Sequence, residues 1–465
     1  MVRGTPPETT MRIYDSYTNK RREFEPKNTP VRMYICGITP YAAAHVGHAM
    51  STVLFDVMRR YLEYSGYLVR HIQNFTDIDD KLIAASDREG KAVQTLAECY
   101  INEYLSHMDT LNVLRAHEYP RASEMVPEII EMVQGLVEKG YAYASSGDVY
   151  YRVTRFADYG KLSRRTLEGM LAGARVEVTE LKEHPMDFAL WKTAKPGEPS
   201  WESPWGPGRP GWHIECSAMS LARLGPILDI HGGGQDLIFP HHENEIAQTE
   251  AYTGQSPFSH FWVHNGLLQL SDTKMSKSLG NLVTISQALS QVSPMALRLY
   301  FLSSHYRSSL AYSDEGLAAQ EKAMSRLRES LLRKSPVNAS GAALDPGEYR
   351  QKFITAMDDD LNTPQALAAL FDLAREINRV VPTGTSINAA QETLQELLGV
   401  LGLTLDSPMY EATQPEPLLD ILIALRNELR ESRQYDLADD IRQRLEKLGI
   451  QLEDTPAGTK WAIGN

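Results

Sequence analysis

Three groups of residues in this 465-residue chain carry chemistry in their types and spacing. The first is His45-Val46-Gly47-His48, which lies between a short apolar strand (Val31 to Cys36) and a helix predicted from His48 to Ser65. A helix N-terminus offers free N–H groups and the positive end of its dipole to an anion. Gly47 lets a ligand approach the backbone closely, and the two imidazoles can hydrogen-bond phosphate oxygens. The same string also suits two surface histidines beside a turn. The second group is Lys274-Met275-Ser276-Lys277-Ser278, followed by Leu279-Gly280-Asn281. Its two lysines and two hydroxyls suit charge stabilisation on a transferring phosphate chain; alone, it also suits a solvated basic loop. The third is metal-like. In Pro240-His241-His242-Glu243-Asn244-Glu245, His241 and Glu245 share a helix face, whereas His242 pairs with Ile246, which cannot ligate. Cys216 and Cys36 supply two thiols upstream. Cysteine, cysteine, histidine and glutamate suit zinc, although a buried strand cysteine is also an ordinary small hydrophobe.

The surrounding elements follow from periodicity. Val53, Leu54, Val57, Met58, Tyr61 and Leu62 recur at helical spacing, and Tyr67 to Asn74 reads as a second strand. Strand, turn, helix, strand is half of a parallel α/β sheet. That rhythm breaks from about Ala116 to Pro210, where a helix (Glu124 to Lys139), a hairpin (Tyr141 to Val153) and a Gly/Pro/Trp-rich tract (Lys195 to Gly211) mark an insertion. It resumes with strands at Ile227 to His231 and Phe261 to Leu270 and a helix at Pro294 to Leu302. Beyond a polar linker, Ser335 to Pro346, three helices are predicted. Thr363 caps the first, with Pro364 in its first turn; the others run from Ala389 to Leu401 and from Leu418 to Glu431. A small helix-plus-strand module, Asp436 to Trp461, closes the chain. The expected fold is therefore α/β. A Rossmann-like catalytic domain spans residues 1–334, a helical bundle 347–407, and a small α+β module 408–465.

A net charge of −13 argues against non-specific nucleic-acid binding but leaves room for a local basic face. Three cysteines point to a reducing cytosol rather than a disulfide scaffold. No apolar run reaches the roughly 18 residues of a membrane span. The polar stretch from Met1 to Lys20 lacks the apolar core of a secretory signal, so the expected location is cytoplasmic.

An HxGH motif near the N-terminus with KMSKS far downstream is the joint signature of class I aminoacyl-tRNA synthetases. The chain resembles one family of that class, the cysteinyl-tRNA synthetases, over nearly its whole length. The resemblance is carried by Cys36-Gly37-Ile38-Thr39, Asn74 to Lys81 (NFTDIDDK), Pro185 to Phe188 (PMDF), Gly211 to Met219 (GWHIECSAM), His231-Gly232-Gly233-Gly234 with Asp236, the HHENE run, KMSKSLGN, Asp358 to Pro364 (DDDLNTP) and Leu452 to Pro456 (LEDTP). It implies one zinc per chain, held by Cys36, Cys216, His241 and Glu245, binding the thiolate of substrate cysteine. It implies Thr76, Trp212 and His231 around that substrate. His45, Gly47, His48, Lys274 and Lys277 are implied for ATP, with Mg2+, and Asp236 at its ribose. The later helices are implied as the tRNA side and the tail as the anticodon-reading module of a monomer. Pro40, Ala42 and Met50 depart from the family pattern, and Pro40 is similar to a paralogous family that joins cysteine to an amino-sugar inositol. The Asp79-Asp80-Lys81 run and the tail module favour the synthetase. Intact His45, His48, Lys274 and Lys277 argue against an inactive RNA-binding relative.

Overall fold

A computed structural model of the chain describes residues 10–173, 181–270, 273–274, 282–335, 343–405, 415–447, 450–455 and 458–463. Its centre is a four-stranded sheet in the order β10-β9-β3-β4, parallel at every pairing. The strands are β3 (Val31–Ile38), β4 (Val69–Phe75), β9 (Leu228–Gly234) and β10 (Ser259–Asn265). Both faces of these strands are largely buried, as a helix-covered parallel sheet requires, and β4, β9 and β10 carry buried polar residues such as Gln73, His231 and His264. A short hairpin, β1 (Arg12–Asp15) and β2 (Lys20–Glu23), precedes them. Between β3 and β4 runs α1 (Val46–Tyr64), whose Val53, Val57, Met58, Tyr61 and Leu62 are all buried. The two strands approach so closely that a Cβ on Gly37 would stand 1.6 Å from the Asn74 carbonyl oxygen, so only glycine fits there. The register shifts at this point, between Ile35 and Ile38, and turns the C-terminal end of β3.

Helices α2 (Asp80–Glu89) and α3 (Val93–Thr110) follow β4. The expected insertion separates from the sheet later than its composition suggests. Glu118 and Arg121 still bridge in parallel to Ile72 and Phe75 of β4. Only then come α4 (Val126–Glu138) and a separate antiparallel sheet of β5 (Ala142–Ser145), β6 (Asp148–Tyr151), β7 (Phe188–Thr193) and β8 (Gly208–Pro210), with α5 (Leu167–Gly173) between β6 and β7. Helices α6 (Trp212–Leu224) and α7 (Glu243–Thr253) flank β9.

The strand expected from Phe261 to Leu270 divides. β10 ends at Asn265, and β11 (Leu268–Leu270) joins another sheet with β12 (Thr273–Lys274) and β13 (Leu310–Tyr312). The break comes where the Gly266 N–H donates to the Tyr306 carbonyl at 2.7 Å instead of continuing the first ladder. Helices α8 (Ile285–Leu289), α9 (Pro294–Leu302), α10 (Asp314–Leu332), α11 (Gly347–Asp358), α12 (Thr363–Val380) and α13 (Asn388–Val400) complete this part. The cap of α12 is Asn362, one residue before the expected Thr363; its side chain accepts from the Gln365 N–H at 3.3 Å.

Met1–Thr404 is one compact unit, so α11, α12 and α13, which follow the linker, pack with the sheet domain. Arg298 of α9 is the staple. Its fully buried guanidinium pairs with Asp56 of α1. It also donates to the carbonyls of Leu401 at 2.8 Å, Leu111 at 3.0 Å and Asn112 at 3.2 Å. Gly402, with φ +67°, passes so close that any Cβ would strike that guanidinium.

Residues 405–465 form a second unit. Helices Pro415–Glu431 and Tyr435–Lys447 pack Leu419, Ile423 and Leu445 against Leu452 of a strand pair, Ile450–Thr455 and Gly458–Ile463. The closing element is thus a hairpin rather than a single strand. Among the described residues, no helix is long and apolar enough to cross a membrane.

Candidate active site and metal centre

Cys36, Thr76, His231 and Asp236 lie at or just beyond the C-terminal ends of parallel strands, the usual ligand position in open α/β sheets. His45 is the N-cap residue of α1, and Gly47 and His48 sit in its first turn. The two imidazoles stack with centroids 3.7 Å apart. Burial holds His45 down at about 4, against a weaker opposing pull from Asp236. Burial, with His45 as neighbour, pushes His48 well below the ordinary imidazole range. Both are therefore neutral at pH 7 and act as hydrogen-bond donors and acceptors, not as fixed cations. Their Nδ1 atoms are buried and have no partner among the described residues. Asp236 follows β9 in a 3-10 turn, Gln235–Leu237.

Lys274 ends β12, opposite Gln269. Lys277 and the rest of its loop lie outside the described residues.

The metal-like residues meet. Cys36, Cys216, His241 and Glu245 each offer a donor atom within 4.8 Å of the others. Sγ of Cys36 lies 3.8 Å from Sγ of Cys216 and 3.6 Å from Oε1 of Glu245. His241 Nε2 is 3.0 Å from the same Oε1. Neighbouring groups hold the opposite ends of these side chains. Glu245 Oε2 meets His231 Nε2 at 2.8 Å, and His241 Nδ1 meets His213 Nδ1 at 2.9 Å. One oxygen and one ring nitrogen are thus left facing the thiols, the division of labour expected around a metal.

His242 corrects the sequence reading. The segment Ile238–His242 that leads into α7 is kinked at Phe239, which is extended (φ −140°, ψ 131°). The His242 ring points into the same pocket, with Nε2 3.3 Å from Cys36 Sγ and Nδ1 2.8 Å from His264 Nε2. Cys36, His231, His242 and Glu245 make a second possible quartet. In that set His231 Nε2 already meets Glu245, and the second thiol is left out. The first quartet has both sulfurs, and its nitrogen and oxygen, His241 Nε2 and Glu245 Oε1, lie on the side of the thiols.

Without an ion, the charges balance internally. The hydrogen bond from Cys36 lowers Cys216 to about 6, while burial and Cys216 push Cys36 well above the thiol range. Burial opposes charge on His241, but Glu245 and Cys216 overcome it and raise the imidazole to about 10. Burial likewise opposes ionisation of Glu245, and His231 with His241 overcome it and hold the carboxylate at about 2.

Of the residues expected around the amino acid, Trp212 and His231 touch this quartet. Trp212, at the start of α6, is 40% exposed and stacks on His241 with centroids 4.4 Å apart. Thr76, just past β4, accepts from the Asn74 amide at 3.3 Å. His231 is fully buried beneath Glu245, stacked on Trp262 at 4.6 Å. Sequence reasoning set His242 aside and missed His213 and His264, although His213 stands within the Trp212-His213 pair. It also missed Glu243, whose carboxylate accepts from the N–H groups of Gly160 at 3.0 Å, Leu162 at 3.1 Å and Ser163 at 2.7 Å. Glu243 thereby ties the insertion to the start of α7.

Comparison with known proteins fits this arrangement. The family model of the class I (C) tRNA synthetase catalytic domain matches residues 23–322, and that of the DALR domain matches residues 352–406. A cysteine–tRNA ligase of Dehalococcoides mccartyi is 56% identical over 456 residues, covering 97% of this chain and 99% of the relative. The chain belongs to the cysteine–tRNA ligase family. Another member, from Moorella thermoacetica, is 49% identical over 476 residues, covering 97% of this chain and 99% of its own. Among solved structures, methionyl-tRNA synthetase of Mycobacterium tuberculosis with methionyl-adenylate superposes with a TM-score of 0.60 at 17% identity. It covers 85% of this chain and 94% of that one, a likeness in fold alone. Membership in the family sets aside the paralogous amino-sugar ligases.

Proposed function

We propose that the protein activates L-cysteine with Mg-bound ATP and joins it to the 3′ end of tRNA-Cys, as a cytoplasmic monomer. The observation that carries this reading is the quartet of two thiols, one imidazole and one carboxylate at the mouth of a parallel sheet, beside the N-terminus of α1. Two sulfurs with nitrogen and oxygen suit zinc and disfavour Mg2+ or Ca2+. Cys36, Cys216, His241 and Glu245 would hold the ion, which would supply a soft partner for the substrate thiolate. Thr76, Trp212 and His231 shape the pocket around it.

In the first step the cysteine carboxylate attacks the α-phosphate, forming cysteinyl-adenylate and releasing pyrophosphate. His45, His48, Gly47 and the α1 N-terminus orient the phosphates, Asp236 takes the ribose, and Lys274 and Lys277 neutralise developing charge. In the second step the terminal ribose hydroxyl of the tRNA attacks the adenylate carbonyl, forming the aminoacyl ester and releasing AMP. The test is cysteine-dependent ATP–pyrophosphate exchange, followed by transfer to tRNA or to an amino-sugar. Absence of exchange overturns the activity; faster transfer to the amino-sugar overturns the acceptor.

Lys277→Ala is expected to lower the kcat of exchange by roughly 10²–10³, the usual effect of losing one transition-state donor. Cysteine KM should change little. A loss under about threefold would remove Lys277 from the phosphate site.

Truncation near Ser407, just past the end of the first compact unit, should leave exchange nearly unchanged. It should lower kcat/KM for tRNA at least about tenfold, the worth of one lost charge-assisted contact. The basic residues of the tail are not equally free for RNA. Arg426 is buried and bonds Asp454 at 2.7 Å, Arg442 pairs with Glu446, and Arg444 pairs with Asp440. Equal charging by both forms would locate tRNA recognition wholly in the first unit.

A further inference from the structure

The insertion grips α7, the helix that carries Glu245 and follows directly on His241, and it does so from the side away from the thiols. Glu243 stands two residues before Glu245, about 200° around the helix axis. It is 0% exposed, and its two carboxylate oxygens accept from the backbone N–H groups of Gly160 at 3.0 Å, Leu162 at 3.1 Å and Ser163 at 2.7 Å. Neighbouring backbone N–H groups turned toward one point make a cradle for an anionic group.

The grip continues along the helix. Residues 243, 247 and 250 fall at i, i+4 and i+7, which is one face of α7. On that face the Tyr151 hydroxyl donates to the Ala247 carbonyl at 2.9 Å, and the Lys161 ammonium pairs with Glu250. The Tyr159 hydroxyl donates to the Asn244 side chain. The cradle itself is built on a glycine. Gly160 has φ +99°, and a Cβ there would stand 2.0 Å from the Arg165 carbonyl oxygen.

Metal geometry gives this grip a consequence. A side-chain tip lies about 5–6 Å from the helix axis, so a rotation of about 10° carries it about 1 Å. Metal–donor distances tolerate only about 0.2 Å. A helix free to turn by that much would hold its carboxylate out of position for most of the time.

We propose that Glu243 is a positioning residue for the metal. The backbone of residues 160–163, closed on its carboxylate, fixes the rotation of α7 and so sets the zinc affinity of Cys36, Cys216, His241 and Glu245. The insertion is then a working part of the metal centre. This rests on the reading of that quartet as a zinc site.

The test is the zinc dissociation constant of metal-stripped protein, measured by competition with a chromophoric chelator. Glu243→Gln keeps the shape of the side chain but turns an NH2 toward the N–H groups of the cradle. Gly160→Ala disturbs the cradle from the insertion side and leaves every residue of α7 in place. Each should raise the zinc Kd roughly 10–100-fold, the usual effect of removing a group that orients a metal ligand. Both changes together should cost no more than the larger single loss, because they break the same link. Saturating zinc should restore the cysteine KM of both variants. Arg152→Ala removes an ion pair with Glu183 inside the insertion and should leave the zinc Kd unaltered. An unchanged Kd in either variant, losses that multiply in the double variant, a cysteine KM that stays raised in saturating zinc, or an equal loss in Arg152→Ala would overturn the proposal. The unaltered protein supplies a check that needs no variant to fold. Coupling between two sites is reciprocal, so zinc should slow amide hydrogen exchange at Gly160, Leu162 and Ser163 more than in the β5–β6 hairpin of the same insertion. Equal slowing, or none, would also overturn it. Absence of tight zinc in the unaltered protein would instead refute the quartet as a metal site, so the two failures are distinguishable.

Discussion

The Cys216→Ser variant is expected to lose its tightly bound metal and at least about 10³ of its cysteine-dependent exchange, and the unaltered protein is expected to reject serine by a similar factor. The two expectations share one cause. Serine differs from cysteine by one atom and is slightly smaller, and a shape-based pocket gains only about 1–3 kcal/mol from such a difference. A thiol with a free pKa of about 8.5 can ionise at a metal and form a soft Zn–S bond, which a serine hydroxyl does poorly. At about 1.4 kcal/mol per tenfold, a 10³ preference needs only about 4 kcal/mol. Cys216 is 1% exposed and faces Cys36 across 3.8 Å, so its sulfur has no substitute in the first quartet. Elemental analysis of protein purified without added metal, together with exchange on both amino acids, checks the result. Full zinc and full activity in Cys216→Ser would refute the site. Robust serine activation by the zinc-loaded protein would refute the metal's part in selection.

Arg298→Ala should destabilise the first unit by about 3–5 kcal/mol, the usual cost of breaking a buried ion pair from one side. The guanidinium leaves behind the Asp56 carboxylate and the carbonyls of Leu401, Leu111 and Asn112. Arg60 still pairs with Asp56 at 2.8 Å, so the stranded carbonyls carry much of the penalty. Urea unfolding of Arg298→Ala and Arg298→Met separates packing from polar bonding. Methionine keeps most of the buried volume, so a similar loss in both variants is expected. A loss below about 1 kcal/mol in Arg298→Ala would mean the three carbonyls find other donors.

Much of this architecture was legible because its signals are local. The apolar run Val31 to Cys36 and the helical stripe from Val53 to Leu62 each reveal one element by periodicity alone. The i,i+4 spacing of His241 and Glu245 survives because both lie on helix beyond the kink at Phe239. The argument that excluded His242 fails because it weighed only partners on the same helix, whereas His242 meets Cys36 of β3 and His264 of β10. Arg298 and Glu243 were invisible for a different reason. Their partners are mostly backbone atoms contributed by distant loops, and backbone atoms leave no mark in a sequence. The departures at Pro40, Ala42 and Met50 have no consequence that the geometry explains.

The Arg298 staple also sets an order of events during synthesis. Asp56 precedes its partner by 242 residues. At about 5–20 residues per second, α1 waits roughly 12–50 s after its own emergence before Arg298 is even polymerised. The Leu401 carbonyl lies a further 103 residues along the chain. Through that interval the apolar stripe of α1 has neither α9 nor α13 to cover it. Until then the face of α1 that α9 and α13 cover in the folded protein has no partner, and truncation products ending before α9 are expected to aggregate more readily than the full chain.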